Sequence, residues 1–82
     1  MEGLIEGRIV HYMPTKEECP GVSHHMAAIV VRVFGAGTDM ANLTVFGDWS
    51  NDGLNPPGVF WATSRHYSET NEPMTWHWPE RA

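Results

Sequence analysis

The stretch MAAIVVRVF, residues 26–34, decides the fold class of this chain. Its apolar character is nearly continuous, and it is rich in the β-branched residues that favour strands. Such a strand is buried on both faces, or it lies centrally and changes face where a barrel bends. Gly35 and Gly37 follow it and mark its end.

Four further runs of strand-forming residues flank this segment, and polar segments rich in Gly, Pro, Asn and Asp separate them. They are RIVHY (8–12), ANLTVF (41–46), VFWATSRHY (59–67) and MTWHW (74–78). No segment has the apolar spacing of a long helix, and at most one short turn is expected near residues 15–19. The pattern predicts an all-β fold. The two candidates are a small five-stranded SH3-like or OB-like barrel and a curled antiparallel sheet.

The length of 82 residues predicts one domain, residues 1–82, and the turn residues place a loop at 13–25 and a turn-rich loop at 47–58. A core this small usually needs a disulfide, a metal ion or self-association as further support. Cys19 is the only cysteine, so an intrachain disulfide is excluded, and the lone thiol fits a reducing compartment. We therefore expect a homo-oligomer.

The net charge of −5 disfavours a nucleic-acid partner, which requires a basic surface, and also an anionic membrane surface. The sequence shows neither a signal-peptide pattern nor an apolar run of membrane-spanning length. Three arginines nevertheless lie inside the predicted strands, at positions 8, 32 and 65. Arginine suits phosphate or carboxylate binding, although these side chains also fit simple pairing with local acids.

The last predicted strand contains two of the four tryptophans. Alternation places Trp76 and Trp78 on one face together with Met74, and places Thr75 and His77 on the other. We expect the tryptophan face to point inward. A core this small cannot bury every tryptophan with its indole N–H satisfied, so some aromatic surface should reach a cleft or an interface. Flat ligands such as nucleobases stack on surfaces of this kind.

The five histidines and one cysteine show no zinc-ligand spacing, so the sequence predicts no metal site and no cofactor. A site assembled across strands from His11, His66 and His77 is the weaker alternative. Cys19 lacks the positive surroundings of a reactive thiol, and Asp48 fits a turn cap better than an acid–base pair. The prediction is a non-enzyme; the alternative is a metal-dependent phosphodiesterase built on His11, His77 and Asp48.

The blocks GRIVHY, AAIVVRVFG, NLTVF, WATS and TWHWPER, in this order, resemble a widespread family of small proteins encoded by tailed bacteriophages and prophages. The resemblance covers most of the chain, and the family varies in length where this chain has its 13–25 loop. Small acidic phage proteins include sponges, which hold nucleotide-derived immune signals without cleaving them. The resemblance thus implies an anti-defence protein in the cytoplasm of the infected bacterial host.

These observations lead to one expectation: a homo-oligomeric, non-enzymatic protein that sequesters a cyclic-nucleotide or ADP-ribose type signal in an aromatic pocket. The alternative is a virion structural protein or a host-protein-binding adaptor with an exposed aromatic patch. In the first case, tryptophans stack a base, arginines pair with phosphate, and polar side chains bind ribose or phosphate oxygens. The candidate residues are Arg8, His11, Tyr12, Asn42, Trp61, Ser64, Arg65, Trp76, His77 and Trp78.

Overall fold

A computed structural model describes residues 2–15, 25–35, 37–47 and 58–80. The strands are β1 (Ile9–Met13), β2 (Met26–Val33), β3 (Ala41–Phe46), β4 (Val59–Tyr67) and β5 (Thr75–His77). Cys19, Asp48, Trp49 and most of both predicted loops lie outside the described residues, as does most of the possible turn near 15–19. Within the described ranges, no helix has the length and apolar character to cross a membrane.

The five strands form a closed barrel in the order β1-β2-β3-β4-β5. Strands β1 to β4 pair with their sequence neighbours in antiparallel fashion. Strand β5 then closes the barrel, because it pairs antiparallel with β1 and parallel with β4. The prediction of a small all-β barrel is confirmed. The sheet is closed and its β4–β5 pairing is parallel, so the structure is the barrel and not the alternative, a curled antiparallel sheet.

The predicted limits of β3 and β4 agree with the structure, but those of the other strands need correction. Arg8 precedes β1, and Phe34 follows β2. Strand β5 contains neither Met74 nor Trp78. The backbone of Met74 has φ 69°, which lies outside the β region, so the chain is still turning there. The expected inward position of Met74 is therefore wrong, and its side chain is exposed.

Alternate residues of β1, β2 and β3 point into the barrel and form most of its core. Trp76 has no exposed surface and contributes the largest fully buried side chain. Its indole N–H donates to the carbonyl of Asp39 at 2.9 Å, so the ring is buried without losing a hydrogen bond. The core comprises Leu4, Val10, Tyr12, Met26, Ala28, Val30, Ala41, Leu43, Val45, Ala62 and Trp76.

Strand β2 changes face, as expected for the strand of a bent sheet, and is not buried on both sides. Its register against β3 shifts between Val30 and Arg32, where Val31 and Arg32 are both exposed. A bulge of this kind bends a strand and increases its twist, which helps a five-stranded sheet to close. The central apolar run in the sequence therefore reflects barrel curvature.

Candidate metal centre

His11 and His77 are direct partners in the antiparallel pairing of β1 with β5. The next pair along the two strands, Tyr12 and Trp76, points into the core. Because side chains alternate along a strand, both histidines lie on the outer face of the barrel. The outward position predicted for His77 is thus correct, although His77 is almost fully covered there.

Two further side chains cover this pair. His25 lies immediately before β2, beside β1, and Glu80 follows β5 three residues after His77. The Glu80 carboxylate reaches all three rings: 2.7 Å to His11 Nδ1, 2.6 Å to His25 Nδ1 and 2.7 Å to His77 Nε2. His25 Nδ1 and His77 Nε2 are 3.0 Å apart. One donor atom from each of the four residues lies within 4.8 Å of the others.

The three imidazole rings approach one another edge to face, with interplanar angles of 71° to 85°. Their nitrogens therefore reach the carboxylate from three different directions. In a tetrahedral zinc site, metal–nitrogen bonds of about 2.0–2.1 Å place neighbouring donor atoms about 3.3 Å apart. The 2.6–3.0 Å separations here and the 4.8 Å limit bracket that value, so small side-chain adjustments suffice to admit an ion.

The electrostatics of the cluster favour a neutral His77 ring beside an ionised Glu80 carboxylate. Burial lowers the pKa of His77 below its usual 6.5, against the opposing effect of Glu80. Partial desolvation acts to raise the pKa of Glu80, but hydrogen bonds from its own backbone N–H and from His11 and His77 lower it to about 2. A neutral ring nitrogen and an ionised carboxylate are the forms that bind metal ions.

Three imidazole nitrogens and one carboxylate oxygen form a donor set typical of Zn²⁺ and its first-row neighbours. Mg²⁺ and Ca²⁺ prefer all-oxygen sites and fit this set poorly. The exposed fraction of the side chain rises from 7% at His77 to 47% at Glu80. The cluster therefore has an anchored side against the barrel and a side that is open to solvent.

The predicted ligand-binding residues fall into separate groups. Arg8 and Trp78 form one pair, with the guanidinium 5.1 Å from the indole centroid. At the β3–β4 bulge, the Asn42 side-chain oxygen accepts hydrogen bonds from the Thr63 hydroxyl and the Ser64 N–H. Trp61 lies on the outer surface with 63% of its area exposed. Among the described residues, no pocket unites these groups.

Two of the predicted ligand contacts require correction. Tyr12 and Trp76 have no exposed surface, because their rings fill the barrel interior. Arg65 is partly buried and packs over the Tyr12 ring at 5.9 Å. His66, a member of the alternative metal site predicted from the sequence, pairs with Asp39 at 2.7 Å instead of joining the cluster.

Sequence reasoning missed His25 and Glu80 as members of the site. His25 stands next to His24 in a segment predicted as a loop, and Glu80 follows a proline. The spacing His77-x-x-Glu80 was the available signal, since a strand that ends at a proline can turn its next carboxylate back toward the histidine. The prediction of no metal site relied on local ligand spacing, but these ligands converge through strand pairing.

Comparison of the chain with protein-family models, with curated proteins and with solved structures gives no significant match. The phage family therefore stays a prediction based on resemblance.

Proposed function

We propose that this protein is a small metal-binding barrel that holds one divalent transition-metal ion, with Zn²⁺ as the first candidate. The ligands are His11, His25, His77 and Glu80. The observation that carries the proposal is the convergence of their four donor atoms within 4.8 Å on the outer face of the barrel. This proposal replaces the expectation, drawn from ligand spacing, that the chain has no metal site.

The number of protons available to the ring nitrogens also favours a bound ion over a cluster held by hydrogen bonds alone. His25 Nδ1 and His77 Nε2 face each other at 3.0 Å, and both also face the same oxygen of Glu80. One proton at most can lie between the two nitrogens, and a neutral imidazole has only one N–H. A metal ion accepts both nitrogen lone pairs at once and balances the carboxylate charge.

Four protein ligands complete a tetrahedral shell. Structural zinc sites are closed in this way, whereas catalytic sites keep one position for water or substrate. The ligand count therefore favours retention of the ion over metal-assisted hydrolysis. The proposed activity is metal binding without catalysis, which retains the non-enzymatic reading of the sequence and disfavours the phosphodiesterase alternative.

A titration of tag-free protein tests the proposal. After treatment with chelator and removal of the chelator, calorimetric titration with Zn²⁺ should give one ion per chain, and Mg²⁺ should give no binding heat. With Co²⁺, the strong visible absorption typical of tetrahedral coordination should appear. His25→Ala and Glu80→Gln should each weaken Zn²⁺ binding at least about tenfold, the lower range found even for outer-shell partners.

His66→Ala is the matched control, because His66 is a histidine paired with a carboxylate outside the cluster. It should bind Zn²⁺ like the unaltered protein. Equal affinity in the unaltered protein and in His25→Ala contradicts the proposed site, and absence of binding at millimolar Zn²⁺ contradicts the proposed function.

A second candidate function is sequestration of a nucleotide-type signal by a phage protein in the host cytoplasm. Its support is the exposed face of Trp61 and the stacking of Arg8 on Trp78, since such groups bind bases and phosphates. In this proposal the ligand surface is completed by a second copy of the chain. Cyclic nucleotides and ADP-ribose derivatives should then shift the thermal midpoint and the tryptophan fluorescence. Trp61→Ala should abolish both shifts.

A further inference from the structure

We propose that the metal ion stabilises the closed barrel, so that occupancy of the site and docking of β5 are coupled. This inference rests on the proposed metal-binding function and concerns the regulation of the same site. It follows from the position of the four ligands relative to the seam of the barrel.

The seam formed by β5 has the fewest strand pairs in the described barrel. Strand β5 has three residues. All three pair with residues of β1, and two of them pair with residues of β4. By contrast, β3 pairs with β2 and with β4 at five positions each. Backbone strain also weakens the pairing of β5. Met74 lies just before β5 and has φ 69°, a left-handed conformation that is unfavourable for residues other than glycine.

The ligands lie on both sides of this seam. His11 belongs to β1, and His25 is held beside it by the adjacent pairing of Tyr12 with Met26. His77 belongs to β5 and Glu80 follows it. When β5 separates from β1, the site loses two of its four donors together. The other two remain on the β1–β2 pair.

An ion with four ligands in the closed barrel and two in the open one binds the closed form more tightly. A ligand that binds one state preferentially shifts the equilibrium toward that state. Separation of β5 would also withdraw Trp76 from the core, where it is fully buried. Metal binding thus lowers the fraction of molecules in which the barrel interior and its largest side chain are exposed to solvent.

Backbone hydrogen exchange measures this coupling at two reporter amides. The Met74 N–H donates to the Met13 carbonyl across the β1 side of the seam, and the Ser68 N–H donates to the Trp76 carbonyl on the β4 side. The Val30 N–H, which donates to the Arg8 carbonyl, reports on the β1–β2 pairing instead. In metal-free protein, the two seam amides should exchange at least about tenfold faster than Val30, because local opening precedes global unfolding.

Zn²⁺ at 100 times its dissociation constant should slow exchange of the Met74 and Ser68 amides by up to about 100-fold, the limit for an ion that does not bind the open barrel. This protection should disappear in His25→Ala and persist in His66→Ala. Seam amides that already exchange as slowly as Val30 without metal overturn the coupling. If Zn²⁺ binds through His25 but leaves the seam amides unchanged, the coupling fails while the proposed function stands. If Zn²⁺ does not bind at all, the proposed function itself fails.

Discussion

His11 and His77 face each other across the β1–β5 pair, with their ring centroids 5.6 Å apart and both rings hydrogen-bonded to the Glu80 carboxylate. His11 lies on β1, the first strand of the barrel, and His77 lies on β5, the strand that closes it. The candidate metal centre and the closure of the fold therefore occupy the same place.

Zn²⁺ should raise the thermal stability of the protein. At 100 times the dissociation constant, an ion that binds only the folded state adds about 2.7 kcal/mol to the free energy of unfolding. For a domain of this size, that gain corresponds to a shift of roughly 10–20 °C in the thermal midpoint. Scanning calorimetry with and without the ion measures it. His11→Ala should lose most of the shift, and an undiminished shift in that variant rules out His11 as a ligand.

Trp76→Ala should be strongly destabilising, whereas Trp61→Ala should have little effect on stability. Trp76 is fully buried, and removal of a large aromatic side chain from a core costs about 3–5 kcal/mol. Trp61 is 63% exposed and serves as the matched control. Urea unfolding monitored by circular dichroism compares the two variants. Similar midpoints for both would show that Trp76 is not a core residue.

Ser64→Gly should stabilise the protein by about 1 kcal/mol, because a left-handed backbone costs residues other than glycine about 1–2 kcal/mol. Ser64 has φ 58° at the β3–β4 bulge. Ser68→Gly is the control: the Ser68 hydroxyl hydrogen-bonds Thr70 and Glu72, so this change should reduce stability. Thermal unfolding in the presence of chelator measures both. A loss of stability in Ser64→Gly would indicate that its side chain matters more than its backbone.

Acid should weaken the fold partly through Glu6. Hydrogen bonds from its own backbone N–H and from that of Val33 lower the pKa of Glu6 below 4.5, so the folded state favours the ionised carboxylate. Its contribution to stability is present above pH 4.5 and is lost as the pH falls through the lowered pKa. Unfolding midpoints from about pH 7 to about pH 3 should therefore fall more steeply for the native chain than for Glu6→Gln. Parallel curves would exclude this role.

Most of the strand layout could be predicted from local sequence, because β-branched runs and turn residues act over short distances. Strands β3 and β4 show this clearly, since the predicted and observed limits coincide. The limits of β5 were harder to predict, because a strand-like alternation continued through Met74 while the backbone was still turning. Side-chain patterns do not report a positive φ at a residue other than glycine.

The candidate metal centre could be predicted only in part. The alternation of side chains along β5 predicts that His77 points away from the face that carries Trp76. The sequence also offers His11 as a member of a metal site assembled across strands. Glu80 and His25 could not be predicted as ligands, because their positions depend on which strands become neighbours when the barrel closes. A short motif search detects ligands that are close in sequence, whereas these ligands meet because β5 returns to β1.

The pairing of Tyr12 with Trp76 also has a consequence for synthesis of the chain on the ribosome. Strands β1 to β4 can pair with their neighbours as each one emerges, but the free edge of β1 has no partner until β5 has been made. An unpaired edge is a template for association with other strands. The nascent chain therefore carries this hazard until β5 has been made. The same strand that carries His77 to the candidate metal centre ends it.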